Sequence, residues 1–389
     1  MTRKEFVKIC GILGIGLPLQ STMGSCSDTT DSGGANNIKK VIIIGAGPAG
    51  LTSAYLLNQR GIDVQVLEAN AYYGGRTKRN KTFADFPIPL GAEWLHVERG
   101  ILDEIVNDSS IRVETKTTPY DHSTDFGLFE GMQVSPRDVG FTIDQKFING
   151  SWLDFFEQYV VPSIETKIAY NKVVQSVDYS GNQVTVSTAT ETFRADKVIV
   201  TVPVKMLQNG AITFTPELPS AKLDAIKNVT VWDGCKAFIA FKEKFYPTFI
   251  AYDISPASAG QKLYYDAAYG QNTIEHILGL FAVGTGTLPY VNLSDSQLID
   301  YMLTELDAIF DGKASANYIK HTFQNWNKEP YANGAYVHDE ENWRLFRSLG
   351  ESVGNTLYFA GDAYTTGEDW SSVHAAARSA KRAVSELLG

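Results

Sequence analysis

Cysteine is scarce in this sequence, and the N-terminal hydrophobic run is short. Three cysteines occur among 389 residues, and two of them, Cys10 and Cys26, lie close to the N-terminus. Cys235 is the only cysteine after that N-terminal segment, so the chain that follows the segment can form no intrachain disulfide. The apolar stretch at residues 9–19 is too short and too rich in glycine to span a bilayer. These shortages exclude a disulfide-stabilised body and an N-terminal transmembrane helix.

Basic residues are also fewer than acidic ones. The sequence has 34 Lys and Arg against 44 Asp and Glu, which gives a formal net charge of -10. This balance disfavours a nucleic-acid partner and is compatible with the attraction of cationic substrates. Hydrophobic residues make up 44% of the chain, enough to bury a sizeable core. A globular protein with more than one domain is therefore expected.

The first residues have the pattern of an export signal: a basic start, the apolar stretch and then a cysteine. The basic start resembles a twin-arginine signal with Lys4 in place of the second arginine. The surroundings of Cys26 resemble a bacterial lipoprotein cleavage site. We expect residues 1–26 to be a lipoprotein leader and the polar residues 27–37 to be a linker. The mature protein would be periplasmic or membrane-anchored, touching the membrane only through its lipid; an ordinary secretory leader with an incidental cysteine is the alternative.

A glycine-rich turn follows the first predicted strand. Residues 41–44 are all apolar, which predicts a strand buried on both faces, and an apolar helical run continues to Leu57. Between them lies a GxGxxG motif formed by Gly45, Gly47, Pro48, Ala49 and Gly50. Gly45 allows a sharp turn, Gly47 allows backbone to approach a pyrophosphate, and Gly50 allows the helix to pack closely on the sheet. The helix N-terminus favours a phosphate, so the motif predicts a dinucleotide site, with a purely structural turn as the alternative.

Two further features favour FAD as the dinucleotide. A second predicted strand, residues 63–67, ends before Glu68, an acid placed to accept hydrogen bonds from the adenosine ribose. Gly75 and Arg76 then provide a second glycine turn that carries a guanidinium. An NAD enzyme has no need of this second turn, whereas the longer FAD molecule uses one beside its pyrophosphate.

With these motifs the chain resembles the flavin-containing amine oxidases, the family of monoamine oxidases, polyamine oxidases and histone lysine demethylases. The resemblance implies an α/β fold in which a Rossmann-like FAD-binding domain of the glutathione-reductase type is joined to a second, α+β substrate domain. The FAD-binding domain would comprise residues 38–100, 172–210 and 350–389. The substrate domain would comprise residues 101–171 and 211–349.

The resemblance also implies further contacts to FAD. The matching positions are Gly91, Ala92, Glu93, Trp94, Val174, Trp326, Tyr331, Gly361, Asp362, Ser372 and Val373. The chain departs from the family at Pro89, which replaces an aspartate, and at Asp362, which replaces a glutamate. Ala335 stands where monoamine oxidases have the cysteine that binds FAD covalently, so non-covalent FAD is expected. The helix that begins near Ser372 would direct N–H groups at flavin O2 and stabilise negative charge on the ring.

Lys236 is the candidate catalytic residue. It matches the family lysine that holds a water against flavin N5, and it lies near the start of a predicted strand at residues 234–246. A strand-end lysine that reaches solvent is the alternative. Tyr336 matches one aromatic wall of the family's substrate site, and Ser372 stands at the position of the other wall. These two residues are the candidate substrate contacts, and the sequence offers no metal-ligand cluster.

Residues 100–169 resemble the family least and are shorter than its usual helical insertion. Within them Trp152, Phe155, Phe156 and Tyr159 recur at helical spacing. Core packing is the expected explanation, and the lining of a substrate channel is the alternative. Whether the short segment leaves a functional pocket stays open at this point.

The reaction that the resemblance implies is hydride removal from the carbon beside a neutral amine to flavin N5, with O2 as the final oxidant and H2O2 as product. The partners would be a small-molecule amine and O2. No second arginine is placed to bind an amino-acid carboxylate, which favours amines. The same fold supports amino-acid oxidases and desaturases, and a non-catalytic flavoprotein scaffold is a further alternative.

Overall fold

The computed structural model describes residues 38–120, 126–130, 133–136, 144–252, 259–338, 343–367 and 369–389. The predicted leader and linker lie outside the described residues. The strands are β1 (Lys40–Ile44), β2 (Asp63–Leu67), β3 (Arg79–Asn80), β4 (Ile88–Pro89), β5 (Thr117–Pro119), β6 (Phe126–Glu130), β7 (Gln133–Pro136), β8 (Gln145–Phe147), β9 (Ile168–Ala169), β10 (Val174–Asp178), β11 (Val184–Thr188), β12 (Thr192–Ala195), β13 (Lys197–Val200), β14 (Thr213–Thr215), β15 (Gly234–Phe241), β16 (Phe249–Ala251), β17 (Gly260–Asp266), β18 (His276–Gly284), β19 (Tyr318–Asn325) and β20 (Leu357–Phe359). The α-helices are α1 (Pro48–Gln59), α2 (Ile101–Val106), α3 (Trp152–Tyr159), α4 (Val204–Gln208), α5 (Ser220–Asn228), α6 (Asp295–Phe310), α7 (Lys313–Asn317), α8 (Arg344–Gly350) and α9 (Val373–Leu388).

The strands form a parallel sheet and a larger mixed sheet, with smaller sheets beside them. The parallel sheet has the order β20-β13-β1-β2-β9. The mixed sheet has seven strands in the order β19-β15-β18-β17-β16-β6-β7. A four-stranded sheet of order β12-β11-β10-β14 and the pairs β3-β4 and β5-β8 complete the described strands.

β1 lies at the centre of the parallel sheet, between β2 and β13. Residues 41–44 are all buried, because both faces of a parallel sheet are covered and the strand must be apolar at every position. The predicted strands at residues 41–44 and 63–67 are confirmed, and the predicted helix extends two residues past Leu57. The α/β fold with a Rossmann-like domain is confirmed.

Two hydrophobic clusters cover the faces of this sheet. On one face α1 packs against α9, and α2 and α3 add apolar side chains to the same cluster. Trp152, Phe155 and Phe156 are buried there and Tyr159 packs against them, so core packing is the explanation of the aromatic spacing. On the other face α5, α8 and the four-stranded sheet form the second cluster.

The parallel sheet and the elements that pack on it include residues outside the predicted FAD-binding segments. α3 and β9 lie in the segment 101–171 that was assigned to the substrate domain, yet they belong to the parallel sheet and its first cluster. α5 and α8 lie in the segment 211–349 and pack on the opposite face of the same sheet. These short elements bury their apolar sides against the nearest sheet, and their order in the sequence does not reveal which sheet that is.

β15 is an inner strand of the mixed sheet, and its alternation decides which side chains approach the parallel sheet's loops. Phe238 and Ala240 belong to a cluster that includes Leu90 and Trp94, and Lys236 lies on the same face. The side chains on the opposite face of β15 belong to a separate hydrophobic cluster that includes residues of α6 and α7. None of the helices in the described ranges combines the length and hydrophobicity needed to cross a lipid bilayer.

Lys222 on α5 is a buried lysine at the end of α8. Its Nζ donates hydrogen bonds to the carbonyls of Ser348 and Leu349 at 2.9 and 2.7 Å. The same atom lies 3.9 Å from the ring centre of Phe359. Burial lowers the pKa of Lys222 to about 7.

We expect the stability of the protein to rise with pH in a window set by Lys222. In the unfolded chain a lysine stays protonated up to about pH 10.4, whereas the folded chain releases this proton above about pH 7. The unfolded state therefore binds more protons within that window, so the cost of burying a charged Lys222 is largest at and below about pH 7 and is relieved as the pH rises toward about 10.4. In denaturant unfolding at about pH 7.5 and about pH 9, the unfolding free energy of the parent should rise relative to that of Lys222→Met by an amount on the order of 1 kcal/mol per pH unit. If the difference in unfolding free energy between the parent and Lys222→Met is the same at both pH values, the lowered pKa of Lys222 is wrong.

Candidate active site and cofactor cavity

A cavity of about 260 Å³ runs along the carboxyl ends of the parallel strands. It begins at the ends of β1, β2 and β13 and reaches the start of β15 and the end of β18. Ligands of open α/β sheets bind at this edge of the strands. The predicted site residues that line it are Gly45, Gly47, Pro48, Ala49, Glu68, Gly75, Arg76, Gly91, Ala92, Glu93, Trp94, Val174, Lys236, Trp326, Tyr331, Tyr336, Gly361, Asp362, Ser372 and Val373.

Gly50 is the predicted site residue that does not line the cavity. A Cβ at this position would lie 2.0 Å from the carbonyl oxygen of Gly45, so Gly50 is required for packing within the turn. Gly45 has a φ of +105°, a conformation that favours glycine. The glycines of the GxGxxG motif therefore have different roles, because Gly45 and Gly50 are required by the shape of the turn itself.

Gly47 differs from its neighbours because the folded chain does not need a glycine there. Its φ is -76°, which any residue can adopt, and an added Cβ would meet no atom within 4 Å. α1 begins at Pro48, which has no N–H, and no side chain caps the helix, so the N–H groups of the next residues lack a side-chain partner. Open space at this one glycine, beside uncapped N–H groups, fits a pyrophosphate that approaches the backbone closely.

Glu68 fixes the far end of the cavity. Its Oε2 accepts a hydrogen bond from the N–H of Ala46 at 2.7 Å, and its Oε1 accepts from the N–H of Asn70 at 2.8 Å. Burial raises the pKa of Glu68, and these hydrogen bonds oppose that effect. Asn70 Nδ2 also donates to Oε1 at 3.1 Å, so the carboxylate holds the glycine-rich turn in place and keeps acceptor capacity for a ribose hydroxyl at Oε2.

Arg76 and Asp362 form an ion pair that the sequence did not predict. Nη2 of Arg76 lies 2.5 Å from Oδ1 of Asp362, and Nη1 donates to the carbonyl of Ala335 at 2.6 Å. The sequence expectation was a guanidinium aimed at a phosphate, with Asp362 as a separate contact. The structure instead neutralises each charge with the other, so backbone N–H groups are left as the main partners of a pyrophosphate.

Lys236 is buried and takes part in a charged cluster. Its Nζ donates to Oε2 of Glu93 at 2.7 Å and to the carbonyls of Pro89 and Gly91 at 2.9 and 3.2 Å. The alternative of a solvent-exposed lysine is wrong, since only 3% of the residue is exposed. An ammonium has three N–H donors, and all three are used here. The water-holding role implied by the resemblance therefore has no donor in this arrangement, and Lys236 fastens the loop that carries Glu93.

Lys146 is the second lysine of this cluster, and sequence reasoning missed it. It lies on β8, in the segment that resembles the family least, so no motif pointed to it. Its Nζ is 3.2 Å from Oε1 of Glu93. Tyr265 donates its hydroxyl to Oε2 of Glu93 at 2.5 Å. Burial works against ionisation of Glu93, yet the two ammonium groups hold its pKa below the ordinary value, and burial lowers the pKa of Lys236.

The two candidate substrate contacts differ in their surroundings. The ring of Tyr336 lines the cavity and lies 6.3 Å from that of Trp232, and burial raises the pKa of Tyr336. Ser372 caps α9, because its Oγ accepts from the N–H of Ala375 at 3.0 Å. Its hydroxyl is thus used in the helix cap, while the N-terminus of α9 faces the cavity. His374 contacts Ser372 at 3.1 Å and does not line the cavity, in keeping with a structural role.

His96 lines the cavity but was not among the predicted site residues. Its Nδ1 lies 3.1 Å from Oδ1 of the buried Asp144. The signal was present in the sequence, since His96 ends the same loop as Gly91 and Trp94. No group of three His, Cys, Asp or Glu residues in the part of the chain that the structure describes is arranged to bind a metal ion.

Comparison with known proteins gives two family matches. The model of the flavin containing amine oxidoreductases matches residues 153–388, and that of the NAD(P)-binding Rossmann-like domain matches residues 43–107. Lysine-specific histone demethylase 2 of Homo sapiens is 24% identical over 414 residues, which cover 84% of this chain and 50% of that protein. The probable polyamine oxidase 4 of Arabidopsis thaliana is 26% identical over 460 residues, which cover 91% of this chain and 89% of that protein. The chain therefore spans about half the length of the demethylase.

Among solved structures, a putrescine oxidase bound to putrescine superposes with a TM-score of 0.71 at 16% identity. The match covers 90% of this chain and 98% of that one. At this identity the likeness establishes the fold alone.

Proposed function

Because the chain belongs to the flavin-containing amine oxidoreductases, we propose that it oxidises a C–N bond of a small amine with FAD as cofactor and O2 as the final oxidant. The observation that carries the proposal is the continuous cavity that joins the dinucleotide turn at Gly47 to the buried Lys236 and Tyr336. When bound, FAD supplies the hydride acceptor, and the protein supplies binding, orientation and electrostatics.

The chain's own residues divide these tasks along the cavity. Gly47 and the open N–H groups of α1 would hold the pyrophosphate, and Glu68 the adenosine ribose. At the other end Trp94, Phe281 and Val283 give the cavity apolar walls. Walls of this kind exclude water and disfavour the ammonium form of a bound amine, which is the form that cannot lose a hydride.

The position of Lys236 supports an electrostatic role for this residue. Its charge lies at the end of the cavity opposite the adenosine ribose site, beside Glu93 and Trp94. Its hydrogen bonds to Pro89 and Gly91 fix the loop that forms one wall. A fixed positive charge at this position would stabilise negative charge that develops in the reaction.

The test is anaerobic mixing of the FAD-loaded protein with monoamines, diamines, polyamines and amino acids. We expect bleaching of the flavin absorbance with at least one amine, and release of H2O2 once O2 is admitted. Bleaching by amino acids alone would assign an amino-acid oxidase, and no bleaching by any compound would favour the flavoprotein scaffold.

We expect FAD to leave the protein completely on acid precipitation. Ala335 lines the cavity where a covalent attachment would need a thiol, and its methyl group can form no thioether. Absorbance at flavin wavelengths should appear in the supernatant after centrifugation. Flavin that remains with the pellet, and resists washing in denaturant, would contradict non-covalent binding.

We also propose that the protein is exported and carries a lipid on Cys26. This rests on the sequence pattern of residues 1–26 alone. Mass spectrometry of the mature protein from its native host should find Cys26 as an acylated first residue. Any other first residue removes the lipoprotein assignment, while retention of Met1 removes the export signal as well.

A further inference from the structure

The cluster of Lys146, Glu93 and Lys236 holds more positive than negative charge. All three residues are at most 4% exposed. Lys236 has three oxygen acceptors, which are Oε2 of Glu93 and the carbonyls of Pro89 and Gly91.

Lys146 repeats this pattern on the other side of Glu93. Its Nζ forms an ion pair with Oε1 of Glu93 at 3.2 Å and donates hydrogen bonds to the carbonyls of Asp266 and Ala267 at 3.4 and 2.9 Å. Three oxygens lie within 3.4 Å of each lysine nitrogen, which suits the three N–H groups of an ammonium, whereas a neutral amine has two. The arrangement therefore suits two ammonium groups that face one carboxylate, Glu93.

The neighbouring carboxylates have partners of their own. Asp266 pairs with Lys244 at 2.8 Å, and Oδ1 of Asp144 lies 3.1 Å from Nδ1 of His96. The carboxylate groups of Asp266 and Asp144 form no hydrogen bond with Lys146, Glu93 or Lys236. Within the cluster of Lys146, Glu93 and Lys236, one positive charge is left over.

A structural role does not explain the second lysine. Glu93 already has a cation in Lys236 and a hydroxyl donor in Tyr265. Burying an ion carries a desolvation cost that can exceed the attraction of its partner, so stability alone gives no reason for a second buried cation at one carboxylate. The effect of Lys146 is therefore to raise the net charge of the cluster that it forms with Glu93 and Lys236.

We propose that Lys146 is a positioning residue of the oxidase site: by binding Oε1 of Glu93, it leaves the charge of Lys236 in excess beside the cavity. This rests on the proposed function, which locates the flavin ring at the Lys236 end. Negative charge arises on a flavin when it is reduced or when an anion adds to it, and a surplus cation nearby stabilises that charge. Without Lys146 the pair of Glu93 and Lys236 would be neutral.

The test is a titration of the oxidised, FAD-loaded protein with sulfite, an anion that places negative charge on a flavin when it adds. Lys146→Met should raise the dissociation constant for sulfite at least about tenfold, the scale of one charge in a low-dielectric interior. Glu93→Gln should lower it, since the cluster gains a charge. The double variant Lys146→Met with Glu93→Gln restores the original surplus, and its dissociation constant should return to within about threefold of the parent.

Lys222→Met is the matched control, because it removes a buried lysine that does not line the cavity. Its dissociation constant for sulfite should equal that of the parent. The proposal is overturned if Lys146→Met binds FAD and sulfite like the parent, or if the double variant fails to recover. Should Lys146→Met not fold, Glu93→Gln and the double variant decide alone. None of these readouts needs an amine substrate, so an absence of amine oxidation would contradict the proposed function and leave this result intact.

Discussion

Gly47→Val should abolish FAD binding while the cofactor-free protein stays folded. The added Cβ meets no protein atom within 4 Å, and the backbone at this residue is compatible with any side chain. The isopropyl group would instead occupy the space through which a pyrophosphate approaches the N-terminus of α1. We expect the affinity for FAD to fall at least about a thousandfold, or about 4 kcal/mol, with a change in unfolding free energy of the cofactor-free protein below about 1 kcal/mol.

The measurements are FAD content after purification, FAD titration of the cofactor-free protein, and thermal unfolding without cofactor. Gly100→Val is the matched control, because a Cβ there also meets nothing within 4 Å and the residue does not line the cavity. Gly100→Val should bind FAD like the parent. If Gly47→Val keeps its FAD, the cofactor does not pass over this turn and the assignment of the dinucleotide site is wrong.

Lys236→Met should keep FAD but slow the reoxidation of the flavin by O2 at least about tenfold, a barrier change on the order of 1.4 kcal/mol. Methionine keeps the length and apolar volume of lysine and removes the charge beside the cavity. The variant also gives up the hydrogen bonds to Pro89 and Gly91, so some loss of thermal stability is expected. The binding turn at Gly47 is untouched, and FAD content should therefore remain normal.

Stopped-flow mixing of the reduced protein with O2 measures the reoxidation rate directly. Lys242→Met is the control, since Lys242 follows β15 and is exposed. Its rate should match the parent. Equal rates for Lys236→Met and the parent, with equal turnover of an amine that the parent accepts, would show that Lys236 serves only to hold the loop around Glu93.

Much of the cofactor-binding half could be predicted because its signals are local. An apolar strand, a GxGxxG turn and a following helix occupy adjacent residues. The predictions for Gly47, Glu68 and Ala335 depend only on the chemistry of each side chain, or on its absence. The expected lining of the cavity follows the same logic, since the carboxyl ends of parallel strands meet at one edge. Gly50 shows the limit, because a motif does not say which of its glycines faces a ligand.

The domain boundaries show a second limit. α3, β9, α5 and α8 each have an apolar side, but the sequence does not state which sheet will bury it. The structure places all four around the parallel sheet. Burial is non-directional and depends on what surface is close in space, so short amphipathic elements are assigned only by the folded chain.

The sequence by itself determined the fold class, the glycine-rich turn at Gly47 that precedes the helix, and the lack of a thiol at residue 335. Only the tertiary structure decided which charges meet. Arg76 reaches Asp362 across a separation of 286 residues, and Glu93 reaches Lys236 across 143. Lys146 joins Glu93 from a segment with no recognisable motif. Ionic contacts depend on distance and burial in the folded molecule, and neither quantity is encoded in the spacing of residues along the chain.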